Sequence, residues 1–280
     1  MKQKVVFFGS SKYSVIVAKK LHEEFRLFLI VATQKSSPPE KFAVANRINF
    51  KIFDKLDDSA IFQIKSYEPD FIVVTDYGKI LPVGLLKIPR YDCLNVHHSL
   101  LPKYRGPSPA PTAILNGEKI TGVTIISMEE GVDTGPIFVQ KKYEIKDNDT
   151  TDSLLTELNA LGTNLVVQTI KNMIKRYLKP REQNHSKATF TKLLRKTDGQ
   201  INVDNPPPFD KLNKMIRAFY PWPGVWTKFR GSTRGVEAQK IIKLLPGQRI
   251  QVEGKKPMSY KDFVNGYPQG KEILGKLGLI

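Results

Sequence analysis

Three short runs, Val5–Phe8, Phe25–Val31 and Phe71–Thr75, are apolar almost without interruption and rich in β-branched residues. A strand with one wet face alternates polar and apolar positions, whereas a strand covered on both faces does not. Between the first two runs Tyr13, Val15, Ile16, Val17, Ala18 and Leu21 recur at helical spacing, and Asp57 or Asp58 can cap a helix through Ile64. Strands that alternate with helices and are buried on both faces define a parallel sheet between helical layers. Tyr91–Val96, Gly122–Met128 and Ile137–Ile145 add three strands. Thr150 or Thr151 then caps a long helix carrying Leu154, Leu158, Leu161, Leu165 and Ile174 on one face. The expected fold is α/β, a Rossmann-like open, mostly parallel sheet that closes near Tyr177.

From Lys179 the texture changes to Pro, Lys, Asn and Thr, which predicts a linker over 179–204 between a first domain, 1–178, and a second, 205–280. The second opens on Asn205-Pro-Pro-Pro208 and a helix through Ala218. An aromatic corner follows, Phe219-Tyr-Pro-Trp222-Pro-Gly-Val-Trp226, with strands expected at Val225–Phe229, Ala238–Leu245 and Arg249–Val252, so this domain is β-rich. Trp222 and Trp226 are expected in its core, since Pro-rich corners bury their aromatics. Charge divides the chain in the same place. Residues 171–280 hold 23 Lys and Arg against 8 Asp and Glu, leaving 21 against 19 in residues 1–170. A basic third on a balanced domain fits a polyanion such as nucleic acid better than a general bias toward lysine, which would not spare the first 170 residues. The single cysteine, Cys93, excludes an internal disulfide and a Cys-rich metal site, and it reads as a small buried filler. No apolar run has the length of a membrane span and the first residues are too short in apolar character for a signal peptide, so a cytoplasmic location is expected.

Chemistry concentrates in one stretch, Asn95-Val-His97-His98-Ser99-Leu100-Leu101-Pro102-Lys103-Tyr104-Arg105-Gly106. It begins at the carboxyl end of an expected strand, where ligands of open α/β sheets bind. Asn95 and His97, two apart on an extended chain, project to the same side. Dinucleotide and NTP binding lose support: no Gly-x-Gly-x-x-Gly follows the first strand, and Gly9-Ser-Ser-Lys12 lacks the leading glycine of a P-loop. There is no Gly-x-Ser-x-Gly elbow, and adjacent His97 and His98 diverge instead of chelating. An acyl-transfer or hydrolysis site without a covalent nucleophile remains. Asn95 offers an amide donor for a developing oxyanion, His97 a general acid or base, and Asp133, between two glycines in a loop joining two strands, an orienting carboxylate. On spacing alone the same residues fit equally a polar loop beside a strand-end histidine with a structural hydrogen bond. Glu129 and Glu130 read as a solvated pair.

The pattern Asn95-x-His97-x-Ser99-Leu-Leu-Pro-x-x-Arg105-Gly106, with Asp133-Thr-Gly135 downstream, resembles the signature of the 10-formyltetrahydrofolate-dependent formyltransferases. The likeness continues through Val5–Gly9, Pro69–Pro82, Ile216–Thr227 and Gly254–Ser259 and so covers nearly the whole chain. The resemblance implies an enzyme of the formyltransferase fold with a small OB-like C-terminal domain, acting as a monomer without a metal. The formyl donor would be 10-formyltetrahydrofolate, and the acceptor the amino group of initiator methionyl-tRNA; an amino-sugar nucleotide or glycinamide ribonucleotide is the alternative acceptor. Asn95, His97 and Asp133 would be the catalytic trio. Ser99, Leu100, Leu101 and Pro102 would form the folate-binding loop, with Ile80 and Leu81 offering backbone contacts to the pterin, and Tyr104 and Arg105 would position the substrate. Three departures stand out: a short loop, Lys35–Lys41, where the family has a longer basic one, a barrel with middle strands missing after Trp226, and His98 where the family usually has a small residue.

Overall fold

The computed structural model describes residues 2–233 and 236–280, without the side chains of 230–233 and 236–238. In chain order the elements are β1 (Lys4–Phe8), α1 (Ser14–Glu24), β2 (Arg26–Ala32), α2 (Pro38–Ala45), β3 (Asn49–Ile52), α3 (Asp58–Lys65), β4 (Phe71–Val74), α4 (Val83–Leu86), β5 (Asp92–His97), α5 (Pro109–Leu115), β6 (Ile120–Ser127), β7 (Ile137–Glu144) and α6 (Thr151–Ile174). These are followed by α7 (Phe209–Ala218), β8 (Val225–Thr233), β9 (Val236–Leu245), β10 (Arg249–Val252), β11 (Met258–Ser259), α8 (Tyr260–Gly266) and α9 (Gly270–Lys276). The chain forms two compact units: Met1–Pro109 with Ile120–Glu144 and Leu155–Thr191, and Ala110–Lys119 with Ile145–Leu154 and Lys192–Ile280.

The first unit holds a seven-stranded sheet in the order β3-β2-β1-β4-β5-β6-β7. The first five positions are parallel and β6 and β7 run antiparallel. Strand order reverses between β1 and β4, so a crevice opens there at the carboxyl ends of the strands. The continuous apolar runs behave as expected: Val5, Val6, Phe7, Phe8, Phe71, Ile72 and Val73 have no exposed surface. Asp57 is the N-cap of α3, its side chain accepting the Ala60 N–H at 3.1 Å. Thr150 caps α6 through a reciprocal pair, Oγ1 accepting the Ser153 N–H and its own N–H donating to Ser153 Oγ.

The buried stripe of α6 differs from the expected one. Leu154, Leu158 and Leu165 are buried as expected, but Leu161 and Ile174 are only partly so, and Gly162, Val166 and Ile170 are buried. Gly162 explains the rotation. A Cβ there would stand 2.5 Å from Val96 Cγ1 and 3.2 Å from Val123 Cγ1, so the helix backbone lies directly against β5 and β6. β3, α2, α4 and α5 were not expected from the sequence. β3 (Asn49–Ile52) lies at the sheet edge, and its four residues carry no continuous apolar run.

The second unit contains a four-stranded antiparallel sheet in the order β11-β10-β9-β8. One face is the core: Val225, Thr227, Phe229, Ile242, Leu244, Ile250 and Val252 are buried. α7, α8 and α9 accompany it. α8 starts on a capping box in which Ser259 and Asp262 satisfy each other's N–H groups, and it brings Phe263 to 6.0 Å from the Phe229 ring. The aromatic corner divides its two tryptophans. Trp226 is buried with Nε1 donating to the Lys196 carbonyl at 3.0 Å, but Trp222, also expected in the core, is 55% exposed.

Candidate active site

β5 delivers Asn95 and His97 to the carboxyl end of the sheet, on the same side of the strand. Asp133 arrives from the loop between β6 and β7, with φ of +51°, and meets both. Its Oδ1 accepts the Asn95 Nδ2–H at 3.0 Å, and its Oδ2 lies 3.5 Å from His97 Nδ1. Gly106 fixes the carboxylate by donating its N–H to Oδ2 at 2.7 Å. The other ring nitrogen, His97 Nε2, is 2.9 Å from the Tyr104 carbonyl oxygen. Both imidazole nitrogens therefore face oxygen acceptors, and the ring is 6% exposed. The loop that carries Asp133 depends on Gly135, where any Cβ would be driven into the Ser127 carbonyl oxygen.

The turn after β5 is shaped by hydrogen bonds directed inward. Ser99 is fully buried and its Oγ donates to the Lys103 carbonyl at 2.6 Å. Thr124 Oγ1 donates to the Ser99 carbonyl and accepts the Leu101 N–H and the Gln140 Nε2–H. Gln140 Nε2 also donates to the Leu101 carbonyl at 2.8 Å, and Leu100 lies over Gly122. On the other side of β5, the loop after β4 buries Leu81 and leaves Ile80 82% exposed.

Arg105 is 3% exposed, and its guanidinium is engaged with Gln183 Oε1 at 2.7 Å and His185 Nδ1 at 3.0 Å. Its backbone pairs with Thr189 and Thr191, and the Tyr104 N–H donates to Thr189 Oγ1. Gln183 Nε2 donates to the carbonyls of Asp133 and Gly135. Residues 181–191 thus clamp both loops of the site. Their composition is that of a linker, but their hydrogen bonds are not. No local sequence signal marks these contacts, because each joins residues about 40 or more positions apart.

His98 forms a second imidazole–carboxylate pair on the opposite side of the chain, with Nδ1 3.4 Å from Asp76 Oδ1. Burial holds its pKa below the ordinary imidazole range: loss of water outweighs the pull of Asp76, neighbouring His97 adds to the lowering, and Asn159 on α6 opposes it. The unfolded chain therefore takes up this proton first as pH falls, so stability that is complete above a pH of about 6.5 declines below it. The thermal unfolding midpoint is expected to drop between pH of about 7.5 and about 5.5, and to drop less in His98→Asn, which lacks the titrating ring. Equal pH slopes in the two proteins would contradict this.

An amide, an imidazole and a carboxylate converge at the end of a parallel strand without a nucleophile. Such a trio can serve a group transfer in which the two substrates react directly with each other. Residues 14–170 match the family described as formyl transferase. A methionyl-tRNA formyltransferase from Thermodesulfovibrio yellowstonii is 35% identical over 300 aligned positions, covering 95% of this chain and 96% of that protein. Among solved structures, a sugar N-formyltransferase from a Shewanella species superposes with a TM-score of 0.66 at 18% identity, over 87% of this chain and 98% of that one. HypX from Aquifex aeolicus in complex with tetrahydrofolic acid superposes with a TM-score of 0.65 at 15% identity, over 99% of this chain and 48% of that one. These two show the shared fold. The chain belongs to the formyl transferase family and, within it, to the methionyl-tRNA formyltransferases. It is an enzyme that transfers a formyl group. No helix among the described residues is long and apolar enough to cross a membrane, and no group of three or more His, Cys, Asp or Glu side chains among them is gathered to hold a metal ion.

Proposed function

We propose that Asn95, His97 and Asp133 carry formyl transfer from 10-formyltetrahydrofolate to the amino group of initiator methionyl-tRNA. The observation that supports this is the convergence on Asp133 at the end of β5, with Asn95 hydrogen-bonded to one carboxylate oxygen and His97 Nδ1 3.5 Å from the other. In the chemistry, a bond forms between the amine nitrogen and the formyl carbon, the bond from that carbon to the folate nitrogen breaks, and one proton passes from the amine to that nitrogen. Asn95 Nδ2–H and a His97 N–H exchange their resting acceptors for the formyl oxygen and stabilise the negative charge that develops on it. Asp133, held in place by Gly106 N–H, orients His97 and relays the proton between the two nitrogens.

The donor would lie where two exposed apolar side chains stand on loops at the strand ends, Ile80 after β4 and Val132 beside Asp133. Leu81 fixes the first of these loops from beneath, and Ser99, Leu100, Leu101 and Pro102 set the turn that leads away from His97. Buried Arg105 positions the substrate through the loop it braces and not by direct contact. Residues 1–178 would provide catalysis and the basic 205–280 the grip on tRNA phosphates, in a cytoplasmic monomer.

One assay tests the acceptor. Purified protein given 10-formyltetrahydrofolate is expected to formylate charged initiator tRNA and to leave free methionine nearly untouched. Formylation of an amino-sugar nucleotide or of glycinamide ribonucleotide, with charged tRNA ignored, would overturn the assignment.

A further inference from the structure

The trio has no use for His98, yet this ring is among the most deliberately placed in the molecule. His97 and His98 are neighbours on an extended chain and point to opposite sides, so the strand end carries two imidazole–carboxylate pairs back to back. His98 is 4% exposed, with Asp76 at Nδ1. The Asn159 side chain lies toward the ring without a well-formed hydrogen bond to Nε2. Nothing in this arrangement lets His98 reach a substrate.

Asp76 is the informative partner. It has φ of +50°, in the left-handed region that a non-glycine residue adopts only when its surroundings hold it there. Its second carboxylate oxygen accepts the Ser11 Oγ–H at 2.8 Å, and its carbonyl accepts the Ser10 N–H at 3.1 Å. One residue therefore ties together the turn after β1, the turn after β4 and the end of β5, across the point where strand order reverses. The loop to Pro82 departs directly from it. Tyr77 packs edge-on against Phe8 at 5.0 Å, Gly78 has φ of +81°, and Lys79 Nζ donates to the carbonyls of Phe53 and Asp54. Exposed Ile80 follows.

We propose that His98, acting through Asp76, is a positioning residue that sets the Tyr77–Pro82 loop for the formyl donor. This rests on the reading above that the loop contacts the folate. His98→Ala and Asp76→Ala are expected to raise the KM for 10-formyltetrahydrofolate by about 10-fold, the size of one lost buried hydrogen bond, with kcat at saturating donor within roughly threefold of the parent. His98→Asn places an amide N–H near the position of Nδ1–H and is expected to restore KM to within roughly threefold. Ser11→Ala, at a partly exposed position whose hydroxyl bonds Asp76 and accepts the Ser14 N–H, is expected to raise KM by about two- to fourfold, which keeps the test open should a His98 variant fold poorly.

An unchanged donor KM in a folded His98→Ala protein overturns the proposal. So does a fall in kcat without a change in KM, or failure of His98→Asn to rescue. Hydrogen exchange separates this outcome from a failure of the folate reading itself. Tetrahydrofolate added to the unaltered protein is expected to slow exchange of the amides in 77–81, and no protection there removes the premise whatever the variants do.

Discussion

His97→Ala is expected to lower the turnover of formyl transfer by about 10³-fold, or about 4 kcal/mol of transition-state stabilisation, with the affinity for charged tRNA nearly unchanged. The geometry argues for so large an effect on one step. His97 is the only member of the trio with both a carboxylate and a carbonyl on its ring nitrogens, so it is held in a single orientation at the end of β5. Removing the ring removes an N–H donor and leaves the Asp133 Oδ2 with Gly106 as its described backbone donor. Asn95→Ala, which takes away the second donor, is expected to cost about 10²- to 10³-fold in the same assay. Since the three act as a unit, the double variant should fall far short of the product of the single losses. The measurement is single-turnover formylation with saturating donor, beside tRNA binding by filter retention. Equal turnover in the parent and His97→Ala proteins would end the mechanism, and a tRNA affinity weakened as much as turnover would make His97 a binding residue.

The parts of the structure that were legible in the sequence share a physical cause. Val5–Phe8 and Phe71–Val74 could be placed because complete burial writes an unbroken apolar run, and Asn95 and His97 because a two-residue spacing on a strand means one face. Asp133 could be proposed because it lies between two glycines in a loop joining two strands, where a carboxylate can approach an imidazole. What was hidden depends on contacts between distant segments. Gln183, Thr189 and Thr191 hold the site loops from a stretch whose composition signals only a connection. Gly162 rotates the buried face of α6 through its approach to Val96, which no periodicity contains. α8 could have been anticipated from its capping box, Ser259 with Asp262, but that box follows a lysine-rich turn and precedes only a short apolar pattern. Trp222 is exposed where the Pro-rich corner suggested burial, while Phe219, Val225 and Trp226 of the same corner are buried.

Raising salt from about 50 to about 200 mM is expected to weaken tRNA binding by about 500-fold, if the basic region neutralises about five phosphates. The argument begins with composition: 23 cations against 8 carboxylates in residues 171–280 cannot all be paired internally. The sheet of the second unit shows where part of the surplus stands. With Val225, Thr227, Phe229, Ile242, Leu244, Ile250 and Val252 committed to the core, strand alternation sends Lys228, Lys243 and Arg249 to the opposite face, and all three are exposed. A sheet face carrying cations suits a phosphate backbone, and exposed Trp222 in the same unit suits stacking on an unpaired base. Each phosphate contact contributes nearly one unit to the slope of log affinity against log salt. Replacing Lys228, Lys243 and Arg249 together by alanine should therefore flatten that slope by about three units and weaken binding alike for charged and uncharged tRNA, because these contacts read no sequence. Turnover at saturating tRNA should stay within roughly twofold of the parent, since none of the three belongs to the catalytic trio. A flat salt profile in the parent protein would remove the electrostatic basis for tRNA binding, and an unaltered slope in the triple variant would move that basis off this face of the sheet.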